Sequence, residues 1–499
     1  MVGIVFSNTQ LQFLVILLVI LTNTWTTCSE ANTDHTPMQQ ELVRGFLAIP
    51  HSKPTVSEFQ GILSDHTGNF SLGFLRVNQT QLALAVLHVP SSEPLWLANP
   101  THLARWSYST QLYFNGSLVI SDPDTGYVWS TKTNGDRVVL LNSSNLQVQK
   151  NVDAGHSPSV IWQSFDFPTN TLVENQNFTD SMSLISSNGL YSMRLGSDFW
   201  ALYAKYKTDT DQMYWQHKAL EVKAEIVEGK GPIHARVHSD GYLAMYQTSN
   251  LPVDIQPFNS FQRTINGLLL VRLETDGNLK GYYWDGSKWA LNYQAISDTC
   301  ELPSPCGSYG LCTPGSGCSC LDNRKEYHSG GCLPAGNEDL CSEGIAKNSY
   351  QVLRRKGVEL PYKEWMGYLT TSSMEKCQGF CERNCSCWGT VYNNVTGFCY
   401  IVDYPIQTLV GVSDETKMGY FKVRDQGTGR KKMQVGIGVG VGVLSGAVIL
   451  IGLIGFGVYR TWKKRRGVKG FLEEEGGVSP GPYKDLGSAS FRTIEMYNK

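Results

Sequence analysis

The chain has 499 residues, and its 42 Lys and Arg against 44 Asp and Glu give a formal net charge of −2. This length predicts about three domains, and the near-neutral charge argues against a nucleic-acid-binding protein. Hydrophobic residues form 41% of the chain and charged residues 17%, a composition that argues against a mostly disordered protein.

An apolar run at residues 11–21 is too short to span a bilayer but has the length of a signal-peptide core. The small residues of TTCSEA follow it, so we expect a signal peptide over residues 1–29. Its removal discards Cys28 and leaves twelve of the 13 cysteines, all between Cys300 and Cys399. An even number behind a signal peptide predicts an extracellular chain whose cysteines are all paired.

Residues 41–296 contain short apolar or aromatic runs broken by Asn, Asp, Gly and Ser, which predicts an all-β structure. A turn-plus-strand unit recurs as NGSLVIS, SSNLQVQ, DGYLAMY and DGNLKGYYW. The first and third units begin at Asn115 and Asp240, 125 residues apart, and the second and fourth begin 133 residues apart. This repetition predicts two related β-domains in tandem.

A longer series of motifs carries a family resemblance. In order, FSLGF, PLWLANP, LYFNGSLVISDPDTGYVWST, VVLLNSSNLQVQ and VIWQSFDFPTNTLVENQNF resemble the bulb-type lectin domain of plant S-locus glycoproteins and lectin receptor-like kinases. The resemblance implies a mainly β fold with a β-prism of three four-stranded sheets over residues 41–165. It implies a second lectin-like or S-locus domain over residues 166–295.

The mannose site of that family reads Q-x-D-x-N-x-V-x-Y on one strand, where alternate residues share a face. The fourth repeat matches it best and keeps Asp276, Asn278 and Tyr282, with Glu274 for Gln and Lys280 for Val. The resemblance therefore implies a candidate carbohydrate site for a mannose-type glycan at Glu274, Asp276, Asn278 and Tyr282. The alternative is that D-G-N-L is an ordinary turn entering a strand.

Residues 296–333 resemble the EGF-like module that follows the S-locus domain in the same receptors. Their six cysteines allow fifteen connectivities on spacing alone. The resemblance implies the pairs Cys300–Cys312, Cys306–Cys318 and Cys320–Cys332. The preceding AISDT lacks the acidic pattern of calcium-binding EGF modules, so no calcium is expected.

Residues 341–423 resemble a PAN/apple domain through C-x3-C-x3-C-x-C, and TSSMEKCQGFCERN predicts a helix with two cysteines on one face. The resemblance implies the pairs Cys377–Cys399, Cys381–Cys387 and Cys341–Cys385. A zinc site is the competing interpretation of such close thiols, and the extracellular context argues against it.

Residues 435–459 are uncharged and long enough to cross a bilayer. The basic cluster RTWKKRRGVK follows, which predicts a single-pass type I plasma-membrane protein with an extracellular ectodomain and a cytoplasmic tail at 460–499. Gly438, Gly442 and Gly446 share one helix face and could support helix pairing. The alternative is that glycine is simply common in membrane helices.

Seven glycosylation sequons fit an extracellular surface. They are Asn69, Asn78, Asn115, Asn142, Asn177, Asn384 and Asn394. No catalytic motif is present, so we expect no enzyme activity, no cofactor and no metal. His234 and His238 share one strand face, where a surface or packing role is favoured over metal binding.

The order of these segments resembles a plant S-domain receptor-like kinase that stops before its kinase. We therefore expect a receptor-like glycoprotein that recognises an extracellular glycan or a secreted peptide and acts as a co-receptor, as a homodimer or with a receptor kinase. Nucleic acid is not an expected partner. The alternative is a non-signalling cell-wall or adhesion tether that binds glycans through its lectin domains.

Overall fold

The computed structural model describes most of the chain between residues 38 and 424. The described ranges are 38–51, 58–152, 156–206, 210–219, 226–227, 232–248, 251–261, 263, 267–323, 326–328, 331–332, 350–403, 407–424 and 455–460. The predicted signal peptide, Cys341, most of the predicted span at 435–459 and the tail beyond residue 460 lie outside them. Residues 455–460 are helical. Within the described ranges, no helix is both long and apolar enough to cross a membrane.

The first thirteen strands form three antiparallel sheets, two of four strands and one of five. They are β1 Glu41–Val43, β2 Phe46–Ala48, β3 Phe59–Ser64, β4 Phe70–Arg76, β5 Gln81–His88, β6 Glu93–Leu97, β7 Ala104–Arg105, β8 Gln111–Phe114, β9 Leu118–Asp122, β10 Tyr127–Ser130, β11 Arg137–Leu140, β12 Leu146–Lys150 and β13 Ser159–Gln163. The sheet orders are β1-β11-β12-β13, β2-β8-β9-β10 and β3-β4-β5-β6, and β7 pairs with β5. Their inner faces share one apolar core, which makes this unit a β-prism.

Three tryptophans join the sheets of the first prism. Trp96, Trp129 and Trp162 each lie on the fourth strand of a different sheet. Their ring centroids are 5.9–6.1 Å apart in edge-to-face contact, the arrangement that aromatic quadrupoles favour. The motifs PLWLANP, GYVWST and VIWQSF therefore supply equivalent positions in a threefold-like arrangement.

The next twelve strands repeat the same topology. They are β14 Thr171–Val173, β15 Asn177–Phe178, β16 Leu184–Ile185, β17 Tyr191–Leu195, β18 Phe199–Tyr206, β19 Thr210–Lys218, β20 His234–His238, β21 Tyr242–Tyr246, β22 Asp254–Pro257, β23 Leu269–Leu273, β24 Leu279–Trp284 and β25 Trp289–Gln294. Their sheets are β14-β23-β24-β25, β15-β20-β21-β22 and β16-β17-β18-β19. In both prisms the first strand shares a sheet with the last three strands of the prism. The second strand shares a sheet with the three strands before those, and the third strand shares a sheet with the three strands that directly follow it. The mainly β prediction is confirmed.

The two prisms dock along a seam between sheets β3–β6 and β14-β23-β24-β25. Val173 and Leu270 of the second prism are buried in the core cluster of the first. The buried His88 ring of β5 lies 5.3 Å from Trp284 and 5.5 Å from Trp289 between ring centroids. Arg272 Nη1 donates to Glu93 Oε1 at 2.5 Å across the seam. Apolar, aromatic and ionic contacts together join the two units.

The described residues between 299 and 424 contain nine strands and one α-helix. They are β26 Gly310–Thr313, β27 Gly317–Cys320, β28 Tyr350–Lys356, β29 Val358–Glu359, β30 Leu369–Thr370, α1 Met374–Arg383, β31 Cys387–Asn393, β32 Phe398–Asp403, β33 Leu409–Gly411 and β34 Lys417–Arg424. The sheets are β27-β26-β33-β29 and β28-β34-β31-β32-β30. Because β26 pairs in parallel with β33, the predicted EGF-like segment and the predicted PAN/apple segment share a sheet. Both domain assignments stay predictions.

Five disulfides join described residues of this segment. They join Cys300–Cys312, Cys306–Cys318, Cys320–Cys332, Cys377–Cys399 and Cys381–Cys387. These are the pairs that the resemblance implies, while the pairing of Cys341 lies outside the described residues. Because these ten sulfur atoms are bonded to each other, they are not thiolate ligands for zinc.

Candidate functional site

The predicted carbohydrate site lies at the turn into β24, where Asn278 has a structural role. Its side chain is 3% exposed. Asn278 Nδ2 donates to Ile296 O at 2.8 Å, and Ile296 N donates to Asn278 Oδ1 at 3.1 Å. Asp276 Oδ1 accepts from the Asn278 backbone N at 2.8 Å. Asn278 thus satisfies the backbone of the segment after β25 with both its amide nitrogen and its amide oxygen.

The other polar groups of this candidate are paired with each other. Lys280 Nζ donates to Asp276 Oδ2 at 2.9 Å, and Tyr282 OH donates to Glu274 Oε1 at 2.8 Å. Burial, followed by the bond to Glu274, raises the pKa of the Tyr282 phenol. Lys280 replaces the valine of the family motif and therefore occupies the Asp276 carboxylate, which a sugar hydroxyl would need as its hydrogen-bond acceptor.

The position of β24 adds a second constraint. Its neighbour β23 carries Arg272, which binds Glu93 of the first prism, and Tyr282 packs against the first prism's core. The structure brings Glu274, Asp276 and Tyr282 together, but on a sheet that also forms the seam. A sugar at this point would have to displace two internal pairs beside a packed interface.

The first two repeats show related internal bonding. Ser117 Oγ donates to Thr133 O at 2.7 Å and accepts from Thr133 N at 2.8 Å, which is the role of Asn278 in the fourth repeat. In the second repeat, Asn145 Nδ2 donates to Gln163 Oε1 at 2.8 Å and Gln149 Nε2 donates to Gln147 Oε1 at 2.8 Å. In both repeats the polar residue at the asparagine position bonds within the protein.

The third repeat, on β20 and β21, builds a different surface. His234 stacks on Tyr246 with ring centroids 5.4 Å apart, and His238 stacks on Tyr242 at 4.7 Å. Arg236 lies between the two histidines, with its guanidinium carbon 5.5 Å from the Tyr246 ring centroid. Burial raises the pKa of Tyr242 to about 12. We call these five residues the His–Tyr face, in which Tyr246 is buried and the other four are half-buried.

The sequence placed His234 and His238 on one strand face, and the structure gives each of them a tyrosine to stack on. The sequence alone did not identify Tyr242, Tyr246 and Arg236 as part of the same surface as both histidines. The signal was present in HARVH and YLAMY, two alternating runs that form neighbouring strands. The asparagines of all seven predicted sequons are exposed, as glycosylation would require.

Comparison with known proteins agrees with this architecture. Residues 94–194 match the model of the D-mannose binding lectin family, and residues 246–325 match the S-locus glycoprotein domain. A PAN domain-containing protein of Arabidopsis thaliana is 54% identical over 91% of this chain and 92% of its own length. The chain belongs to the plant S-locus, bulb-type lectin family. Neither matched family is catalytic.

Other members of the family are longer. A G-type lectin S-receptor-like serine/threonine-protein kinase of Arabidopsis thaliana is 26% identical over 74% of this chain, which spans only 45% of that kinase. Among solved structures, the two-domain, fetuin-binding Scilla campanulata agglutinin matches 51% of this chain and 100% of its own, with 16% identity and a TM-score of 0.19. At that score the likeness supports no inference about this chain.

Proposed function

We propose that this lectin-family chain is a receptor-like glycoprotein without enzymatic activity that recognises an extracellular glycan. The observation that carries the proposal lies on sheet β15-β20-β21-β22, which is not a sheet of the seam and carries the half-buried side chains of His234, Arg236, His238 and Tyr242. Aromatic rings with a few placed polar groups are typical of sites that bind small ligands. The match to a lectin family supports a sugar as the ligand class.

The predicted mannose-type site at Glu274, Asp276 and Tyr282 is the second candidate on the same prism. Its two internal pairs make it the weaker one, because a sugar hydroxyl must compete with Lys280 for Asp276. Asp276→Ala tests it directly on mannose glycans. A loss of retention by D276A, with unchanged thermal stability, would favour this candidate over the His–Tyr face.

We further propose that the chain acts at the plasma membrane, spans it once at residues 435–459 and serves as a co-receptor. Relatives that carry a kinase domain support a receptor kinase as its partner. The glycine face in the proposed span supports a helix contact with that partner or with a second copy. A secreted peptide is the alternative ligand, and a cell-wall tether is the alternative role.

The test uses the intact chain purified from plant membranes. It should retain glycans on a glycan array, and it should copurify with a kinase in larger amounts after ligand is added. Glycan retention with no ligand-dependent kinase would support the tether. A folded chain that retains no glycan would contradict the proposed recognition.

A further inference from the structure

The His–Tyr face lies on one side of two paired strands and is half-buried along β20 and at Tyr242 of β21. Four residues of these strands point inward, because they are buried and belong to the second prism's core cluster: Ala235, Val237, Leu243 and Met245. The alternate residues lie on the opposite side of the sheet, where His234 faces Tyr246, Arg236 faces Ala244 and His238 faces Tyr242. Ala244 and Tyr246 are buried there, and the other four residues are half-buried. Two stacked aromatic pairs therefore flank an arginine that lies opposite the small side chain of Ala244.

Arg236 carries the fixed charge of this face. Its Nε donates to the neutral Asn177 Oδ1 at 2.8 Å, and no carboxylate oxygen of the described residues lies within 4.0 Å of its guanidinium. Arg194 on the adjacent sheet is the natural contrast. It lies over Tyr203 at 4.3 Å in the same way, but it is paired with Asp211. The charge of Arg236 is thus available to an external anion.

An arginine of this kind matches a carboxylate, because its planar guanidinium can donate two parallel hydrogen bonds. The half-buried rings of His238 and Tyr242 offer a flat apolar surface beside it. A ligand that fits both features has an apolar ring face and a carboxylate. We propose that the His–Tyr face binds an acidic saccharide, a hexuronate oligomer, with its carboxylate at Arg236 and a sugar ring against His238 and Tyr242.

This inference rests on the proposed glycan recognition and names its ligand class. The titratable and charged groups around His238 are Arg236 on the same strand, Asp240 and Tyr242 from the β21 hairpin, and Glu174 from the loop before β15. Asp240 Oδ2 lies 3.4 Å from His238 Nδ1. Among the described residues, neither Asp240 nor Glu174 forms an ion pair with Arg236, so both leave its guanidinium to a carboxylate of the ligand.

The experiment measures binding of oligogalacturonate to the intact chain by calorimetry at about pH 5.5. Arg236→Gln should weaken binding roughly tenfold or more, the effect expected for the loss of one charge-assisted pair. The matched control Arg194→Gln should bind as the wild type does. A fully methyl-esterified oligomer, which keeps the sugar rings but has no carboxylate, should bind at least tenfold more weakly.

Several results would overturn the inference. Equal binding by R236Q and wild type would do so, as would equal affinity for the methyl-esterified oligomer. If neutral glycans are retained and oligogalacturonate is not, the proposed recognition stands and this inference fails. If no saccharide of either kind is retained, both fail.

A glycan on Asn177 is a specific alternative occupant, because that residue lies directly beside Arg236. Thr179→Ala removes the sequon while leaving the Asn177 side chain that supports the arginine. Wild type and T179A should both bind oligogalacturonate. Binding by T179A alone would mean that the protein's own glycan covers the face, and it would overturn the proposal of an external ligand.

Discussion

Replacement of Leu270 by alanine tests the seam between the two prisms. Leu270 is 1% exposed and packs into the core cluster of the opposite prism. The three carbon atoms removed contribute roughly 2.4 kcal/mol at about 0.8 kcal/mol each. Incomplete collapse of the cavity raises the expected loss of unfolding free energy to about 3 kcal/mol. For units of this size, that loss lowers Tm by about 6–12 °C.

Chymotrypsin cleavage below the unfolding temperature distinguishes opening of the seam from general destabilisation. Phe165 lies in the connection between β13 and β14, packs against the first prism's core cluster, and its carbonyl accepts from Gln176 Nε2 at 2.8 Å. L270A should speed cleavage after Phe165. The control Leu243→Ala, equally buried in the second prism's own core, should lower Tm without that increase. Equal cleavage rates for L270A and wild type would refute the role of Leu270 in the seam.

Three further predictions concern single residues. Asn278→Ala should lower the free energy of unfolding in urea by about 2–3 kcal/mol, because the backbone N and O of Ile296 lose their partner. An unchanged free energy of unfolding would show that the amide is not structural. Trp162→Ala should lower the free energy of unfolding by about 2–4 kcal/mol and reduce the near-UV circular dichroism that arises from contact among Trp96, Trp129 and Trp162. An unchanged spectrum would contradict coupling between these rings. Burial lowers the pKa of His88, so the folded chain binds its proton less readily than the unfolded chain, and stability should fall as pH decreases below about 6.5. His88→Gln should reduce the fall of Tm below about pH 6.5. An unchanged slope would show that other groups cause this pH dependence.

The β-prisms were predictable because their evidence is local. Short turn-plus-strand units repeat at fixed offsets, and each repeat became a turn leading into a strand in the structure. The seam was not predictable in the same way. The run QLALAVLH in β5 is apolar on both faces, which shows that the strand is covered twice, but nothing in it specifies what covers the second face.

The candidate site shows the same limit. The family motif could place Asp276, Asn278 and Tyr282 on one strand, since alternation is a local property. The partners that constrain the site come from elsewhere, because Ile296 lies on the far side of β25 and Glu93 belongs to the other prism. The sheet shared by β26 and β33 likewise joins residues about a hundred positions apart.

The most direct test of the account is hydroxyl-radical footprinting of the intact chain with and without a saturating glycan that the array identifies. Oxidation of His234, His238 and Tyr242 should fall when the glycan is bound, because these half-buried rings would be covered. Tyr113, on the corresponding strand of the first prism, should be oxidised equally in both states. Protection confined to Tyr113, to the β24 turn or to residues 350–424 would contradict glycan recognition by the His–Tyr face.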